Sequence, residues 1–132
     1  MAGRVCKLGF TVGVWDLFHD GHRNILTEAK KHCDELIVGV MTDYYVQLQK
    51  GWERPHDKQA TRLANLARSG LADRICILNT LDMTPFVQLA DIWILGEDQH
   101  NMWPKNWPHS VRIPYYEGVS TTKLIGDYAN ES

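Results

Sequence analysis

The sequence predicts an α/β fold with a parallel sheet. Apolar runs alternate along the chain with segments of helical periodicity, which is typical of parallel strands joined by right-handed crossover helices. The run at 36–41 is almost continuously apolar, as parallel strands are when helices cover both faces of their sheet. The five predicted strands are 5–14, 36–41, 74–78, 91–95 and 111–113.

The first predicted strand ends at an aspartate–glycine pair, where a helix begins. This helix is predicted over 21–33, because Ile25, Leu26 and Ala29 recur at helical spacing. Basic residues follow near its C-terminal end, where the helix dipole favours positive charge. The first two elements therefore form a strand, a sharp corner and an amphipathic helix.

The middle of the chain is less regular. The segment 44–57 is predicted to be an irregular loop after the second strand, and long loops beside a site are often lids. A helix is then predicted over 57–69, with Gly70 ending it in the left-handed conformation that glycine adopts easily. The third strand, 74–78, follows directly.

The last third continues the alternation. A short helix is predicted near Thr84-Pro85, with proline in the first turn. The loop 99–110 is rich in tryptophan and proline, and it is interpreted as a cover for a substrate pocket or as a subunit contact. The final helix is predicted to open at Ser120 and to continue to the C-terminus.

Composition indicates one globular domain, 1–132, with enough apolar residues for a core. The net charge of −2 gives no electrostatic reason to expect nucleic acid or an anionic membrane as a partner. No apolar run reaches membrane-spanning length, and the N-terminus lacks the features of a secretory peptide. Three widely spaced cysteines and no C-x-x-C pair argue for reduced thiols, a cytoplasmic protein and no zinc site.

The corner after the first strand carries two histidines, His19 and His22, on either side of Asp20-Gly21. Ligands of open α/β sheets bind outside the carboxyl ends of strands, where a helix start offers backbone N–H groups. Imidazoles there suit a polyphosphate, because they donate hydrogen bonds to oxygens whose negative charge grows during reaction. The alternatives are two ordinary surface histidines or half of a metal site.

A second candidate anion site opens the last predicted helix. Gly118 precedes a run of hydroxyl residues, Ser120, Thr121 and Thr122, whose oxygens and backbone N–H groups can bind phosphate oxygens. The alternative is a plain helix cap with no ligand.

These two stretches resemble a known family. Residues 13–22 are similar to the G-x-F-D-x-x-H-x-G-H signature of the nucleotidyltransferase superfamily, and residues 117–122 are similar to its E-G-I-S-T-T motif. The resemblance extends over roughly residues 5–128 and is nearest to the small cytidylyltransferases of the glycerol-3-phosphate type. It implies a three-layer Rossmann-like parallel sheet of order 3-2-1-4-5 with helices on both faces.

The resemblance also implies roles for individual residues. His19 and His22 would stabilise the reacting α-phosphate, and Lys50 and Arg62 would bracket the phosphates of both substrates. Asp98 would accept from a base amino group or hold the metal–phosphate assembly. The residues expected to contact the nucleotide are Gly13, Val14, Trp15, His19, His22, Asp98, Tyr115, Gly118, Ser120, Thr121 and Thr122.

The reaction implied is transfer of CMP from CTP to a small phosphorylated alcohol, with release of pyrophosphate. Mg²⁺ would accompany the triphosphate, held by phosphate oxygens and water rather than by a cage of protein ligands, so that no protein metal site is expected. Members of the family are commonly dimers, which implies a homodimer here.

Two departures from the family pattern leave the substrates open. Tyr115 stands where the family has an arginine, so CTP and another triphosphate such as ATP are both candidate donors. Lys50 is followed by Gly51 where the family carries two lysines, with Arg54 as a substitute, so the acceptor is another phosphate or a phosphonate in the alternative interpretation. A catalytically silent nucleotide-binding module is the remaining alternative, and a metal hydrolase is weaker still.

Overall fold

The fold is described from a computed structural model, which describes residues 7–79, 90–96 and 110–113. These residues form five strands and three helices in alternating order. The strands are β1 (Leu8–Gly13), β2 (Glu35–Met41), β3 (Arg74–Leu78), β4 (Ile92–Gly96) and β5 (Ser110–Ile113). The helices are α1 (Asp20–Lys30), α2 (Asp43–Lys50) and α3 (Gln59–Ser69).

All four strand pairings are parallel, and the sheet has the order β3-β2-β1-β4-β5. The predicted Rossmann-like sheet is therefore confirmed. The strand β1 is central, pairing with β2 on one side and with β4 on the other. Because parallel strands all end at the same edge, the carboxyl end of β1 lies in the middle of the edge at which such sheets bind ligands.

Each face of the sheet is covered by a separate apolar core. Phe10 and Val12 of β1 pack on one face with Val46 of α2. The opposite face is covered by Leu26 of α1 and Leu66 of α3, both fully buried. Helices thus lie on both faces, as the continuous apolar strands predicted.

The prediction of an irregular segment at 44–57 was wrong in its first half, where α2 forms. The Thr42 hydroxyl accepts a hydrogen bond from the Tyr45 backbone N–H and caps the helix start. Gly51 ends the helix with a φ of +99°, a conformation that favours glycine. Aromatic and β-branched residues in the first turns favour a strand over a helix, so sequence propensity hid this element.

The other described elements occur where they were predicted and differ only in their first or last residues. Helix α1 ends at Lys30 rather than at position 33, and β1 is described from Leu8, while positions 5 and 6 of the predicted strand lie outside the described residues. Gly70 follows α3 with a φ of +70°, as predicted. The short helix near Thr84-Pro85, residues 99–109 of the loop predicted at 99–110 and the helix opening at Ser120 lie outside the described residues. The last residue of that loop, Ser110, is instead the first residue of β5. Within the described ranges, no helix combines the length and apolar character needed to cross a bilayer.

Candidate functional site

The chain turns sharply where β1 meets α1. Trp15 has a φ of +63° and Leu17 a φ of +49°, so two residues with side chains adopt left-handed backbone within three positions. Such conformations cost about 1–3 kcal/mol each, and they cluster where a site requires a particular backbone path. The corner predicted from the sequence is therefore a strained turn at the carboxyl end of the central strand.

The Trp15 side chain holds this turn from inside the protein. It is 3% exposed, and its indole N–H donates to the Gly39 carbonyl of β2 at 2.9 Å. A β-carbon at Gly13 would lie 3.0 Å from the Trp15 ring, so glycine is needed there for the ring to fit. The ring is buried, so the predicted contact of Trp15 with the nucleotide would be made by its backbone, and that contact stays a prediction.

His19 and His22 share one hydrogen-bonding arrangement at the start of α1. The His19 Nδ1 accepts from the Gly21 backbone N–H at 3.0 Å, and the His22 Nδ1 accepts from the His19 backbone N–H at 3.2 Å. An Nδ1 that accepts carries no proton, so the neutral ring holds its proton on Nε2. Each imidazole therefore uses one nitrogen to build the helix start and presents an Nε2–H donor with the other.

Both imidazoles are held in the neutral form. Burial, and after it the charges of the nearby His19, Lys50 and Arg23, lower the pKa of His22 to about 3. Burial also lowers the pKa of His19, against the opposing charge of Asp20. The two rings stack with their centroids 3.9 Å apart, an arrangement that two imidazolium cations would resist.

Lys50 belongs to the same group of side chains. It is the last residue of α2, and its positive charge acts on His22, as the lowered pKa of that imidazole shows. The structure thus brings together three of the four predicted catalytic residues, from the β1–α1 corner and from the end of α2. The result is a pair of neutral N–H donors beside a primary ammonium group.

Arg62 occupies a different position from the one predicted. Its side chain is fully buried, and its Nη1 group donates to the carbonyls of Val14 at 2.9 Å and Met41 at 2.7 Å. Its Nε donates to the Asp57 carbonyl at 3.1 Å, and its Nη2 pairs with the Asp43 carboxylate at 2.6 Å. The predicted phosphate contact is corrected, because these partners leave the guanidinium behind the site as a positioning residue.

Asp16 is the second buried charge behind the corner. It is 1% exposed, and its two carboxylate oxygens accept from the backbone N–H groups of His56 and Asp57, each at 2.7 Å. The Arg54 Nε lies 3.7 Å from the same carboxylate. Asp16 therefore ties the connection between α2 and α3 to the β1–α1 corner.

The remaining predicted residues divide into two groups. Gly13 ends β1 and the Val14 carbonyl accepts from Arg62, so both lie at the β1–α1 corner, and their contact with a nucleotide stays a prediction. The others lie outside the described residues, and their convergence on the histidines stays a prediction: Asp98, Tyr115, Gly118, Ser120, Thr121 and Thr122. Sequence reasoning missed Asp43, although an aspartate directly after a buried strand is a signal for the site edge.

Across the described ranges, no group of three or more histidine, cysteine or acidic side chains is placed to hold a metal ion. The donors at the corner are imidazole N–H groups and an ammonium group, which suit phosphate oxygens rather than a cation.

Comparison with known proteins identifies the family. The sequence model of the cytidylyltransferase-like family matches residues 10–126. The chain belongs to this family, within the nucleotidyltransferase superfamily, as its two motifs predicted. Because the family model covers most of the chain, the protein is of the nucleotidyltransferase class, and its sheet order and corner agree with that assignment.

Two of the curated relatives are bifunctional proteins named HldE. The bifunctional protein HldE of Paramagnetospirillum magneticum is 44% identical over 131 residues, covering 90% of this chain and 26% of the relative. The HldE of Caulobacter sp. (strain K31) is 43% identical over 99 residues, covering 72% of this chain and 20% of the relative. The chain thus spans about a quarter or less of the length of these two curated relatives.

Solved structures share the fold. A lipopolysaccharide core biosynthesis protein from Thermoplasma volcanium superposes with a TM-score of 0.71 at 28% identity, covering 86% of this chain and all of that one. A pantoate–β-alanine ligase from Francisella tularensis gives a TM-score of 0.64 at 16% identity, covering 96% of this chain and 69% of the ligase. At that low identity, the ligase shows a common fold alone.

We expect Arg62→Ala to lower the free energy of unfolding by about 3–5 kcal/mol, because it removes the donor to one oxygen of the Asp43 carboxylate and to two strand-end carbonyls. Denaturant titration measures this change. The control is Arg74→Ala, which removes an exposed ion pair with Glu35 and should cost less than about 1 kcal/mol. Equal losses in the two variants would contradict the buried positioning role.

We expect the folded chain to lose stability as the pH falls from about 6.5 towards about 3. The folded pKa of His22 is lowered, so the unfolded chain takes up a proton in this window and the folded chain does not. The contribution of His22 approaches about 1.4 kcal/mol per pH unit within the window and vanishes above it. Denaturant unfolding at a series of pH values measures the slope.

Substitution isolates the contribution of this one imidazole. His22→Gln should flatten the pH profile, whereas His32→Gln, at an exposed histidine, should leave it as in the unaltered chain. A profile for His22→Gln that runs parallel to the unaltered one would show that the buried imidazole is not its source.

Proposed function

We propose that this chain transfers a nucleotidyl group from a nucleoside triphosphate to the phosphate of a small acceptor. The observation that carries the proposal is the pair of neutral imidazoles at the β1–α1 corner, each anchored through Nδ1. Anchoring one nitrogen of each ring points two Nε2–H donors away from the helix backbone. Such fixed donors suit oxygens whose charge increases as the α-phosphorus becomes pentavalent.

In the proposed reaction, a phosphate oxygen of the acceptor attacks the α-phosphorus of the triphosphate. The bond from the α-phosphorus to the oxygen bridging it to the β-phosphate breaks, and pyrophosphate leaves with that electron pair. No protein nucleophile takes part, so catalysis is positioning together with charge neutralisation. His19 and His22 would donate to the α-phosphate oxygens, and Lys50 would offset negative charge on the phosphates.

The rest of the nucleotide site is proposed from the family resemblance. Ser120, Thr121 and Thr122 after Gly118 would bind phosphate oxygens at the last helix. Asp98 and Tyr115 would contact the base. Mg²⁺ would enter with the triphosphate, held by its oxygens and water, and it would neutralise part of the phosphate charge.

The proposed donor is CTP, as the resemblance to cytidylyltransferases implies, with ATP as the alternative that Tyr115 motivates. The proposed acceptor is a phosphorylated polyol or sugar. A sugar phosphate fits the similarity to a lipopolysaccharide core biosynthesis protein, and glycerol 3-phosphate fits the motif resemblance. A panel of triphosphates and phosphorylated acceptors, followed by pyrophosphate release, tests donor and acceptor together.

We expect His19→Ala or His22→Ala to lower kcat by about 10²–10³, the scale of a lost hydrogen bond to a developing oxyanion. Pyrophosphate release at saturating substrate measures this change. His32→Ala is the matched control and should retain full turnover. Near-native kcat in either corner variant, or nucleotide binding without turnover by the unaltered chain across the whole panel, would reject the proposed reaction.

We expect Lys50→Ala to reduce kcat/KM by about tenfold or more, because a cation beside the imidazoles no longer offsets phosphate charge. Kinetics with the acceptor varied at fixed triphosphate measure the effect. Lys58→Ala removes an exposed lysine from the nearby α2–α3 connection and should leave kcat/KM unchanged. An unchanged kcat/KM in the Lys50 variant would remove this residue from the site.

A further inference from the structure

Arg54 lies in the connection between α2 and α3, and Arg62 lies in α3. The two guanidinium groups differ in how many of their N–H groups are hydrogen-bonded to the protein. Four of the five N–H groups of Arg62 donate to named protein acceptors within 3.1 Å. Arg54 is only 19% exposed, yet its buried Nε makes no hydrogen bond with the described residues. A buried cationic donor without an acceptor costs free energy, so an unmet donor beside a candidate site points to a ligand.

The carboxylate nearest Arg54 does not satisfy it. Both oxygens of Asp16 already accept backbone N–H groups at 2.7 Å, and the Arg54 Nε remains 3.7 Å from the nearer oxygen. That separation gives Coulombic attraction without a hydrogen bond. Asp16 therefore holds the Arg54 charge in place and leaves its hydrogen-bonding capacity for another acceptor.

Arg54 also lies close in sequence to Lys50, and a backbone hydrogen bond fixes the turn between them. Its backbone N–H donates to the Gly51 carbonyl at 3.0 Å, which closes a turn directly after Lys50. Lys50 acts on His22, and Asp16 precedes His19 by three positions in the same corner. One short turn thus carries an ammonium group that acts on His22 at one end and a guanidinium group beside Asp16 at the other.

We propose that Arg54 binds the phosphate of the acceptor substrate, an inference that rests on the proposed function. The reaction brings a phosphate monoester against a triphosphate, so two anions must approach each other. Proposed donor contacts lie at the imidazoles and the last helix, whereas Arg54 belongs to a separate segment. A guanidinium fork matches two oxygens of a phosphate monoester, which a single ammonium group does not.

The test uses steady-state kinetics of the full chain with the donor and acceptor that the substrate panel identifies. We expect Arg54→Ala to raise the acceptor KM by about ten- to a hundredfold, while the triphosphate KM changes less than about twofold. Arg74→Ala, an exposed arginine on β3, is the control and should match the unaltered chain in both KM values. Thermal unfolding of every variant is recorded alongside.

Arg54→Lys separates ligand binding from a structural ion pair with Asp16. Lysine keeps the charge opposite Asp16 but loses the fork, so acceptor binding by Arg54 predicts an acceptor KM that is still raised severalfold. A purely structural role predicts that Arg54→Lys behaves as the unaltered chain. That result, or a rise confined to the triphosphate KM, would overturn the assignment even if Arg54→Ala failed to fold.

Failure of the proposed function has a different signature. If the unaltered chain turns over no pair in the panel, calorimetry with inorganic phosphate takes the place of kinetics. Phosphate binding that Arg54→Ala weakens tenfold and Arg74→Ala leaves intact would then support the phosphate site while the reaction is rejected. Equal phosphate binding by the two variants would overturn the site.

Discussion

The site depends on one buried cation, the guanidinium of Arg62. It joins the carbonyls that follow β1 and end β2 to the Asp43 carboxylate at the start of α2. Removing a charge from water is costly, and the geometry persists because nearly all its N–H groups have acceptors. Two strand ends and a helix start are thereby held at fixed separations, and the corner histidines are positioned on that frame.

The same atoms that build the fold also prepare the chemistry. The Nδ1 of each histidine satisfies a backbone N–H at the start of α1, where such groups lack partners within the helix. This use orients each ring and sets its tautomer, so the second nitrogen becomes a donor. The strained backbone at Trp15 and Leu17 is retained because the indole hydrogen bond to Gly39 holds the turn from the core side.

The sequence predicted the elements that have a clear pattern of neighbouring residues. It was wrong about features that depend on contacts with distant residues. Continuous apolar runs predicted the strands, and the family motif supplied their order. Helix α2 was missed because the aromatic residues of its first turn have a low helix propensity. The structure shows that the Thr42 cap and the Gly51 stop fix the two ends of this helix. Arg62 was assigned to phosphate because spacing along a helix cannot show that the guanidinium turns inward to carbonyls 21 and 48 positions away.

The charges of the described site residues combine neutral histidines with the ammonium group of Lys50. Burial is the main cause that keeps His22 neutral, and the charges of His19, Lys50 and Arg23 act in the same direction. Neutral imidazoles still donate hydrogen bonds to anionic oxygens, and the positive charge beside them comes from Lys50. A chain with a net charge of −2 can therefore offer a polyanion a local site, since Lys50 supplies positive charge beside the His19 and His22 donors.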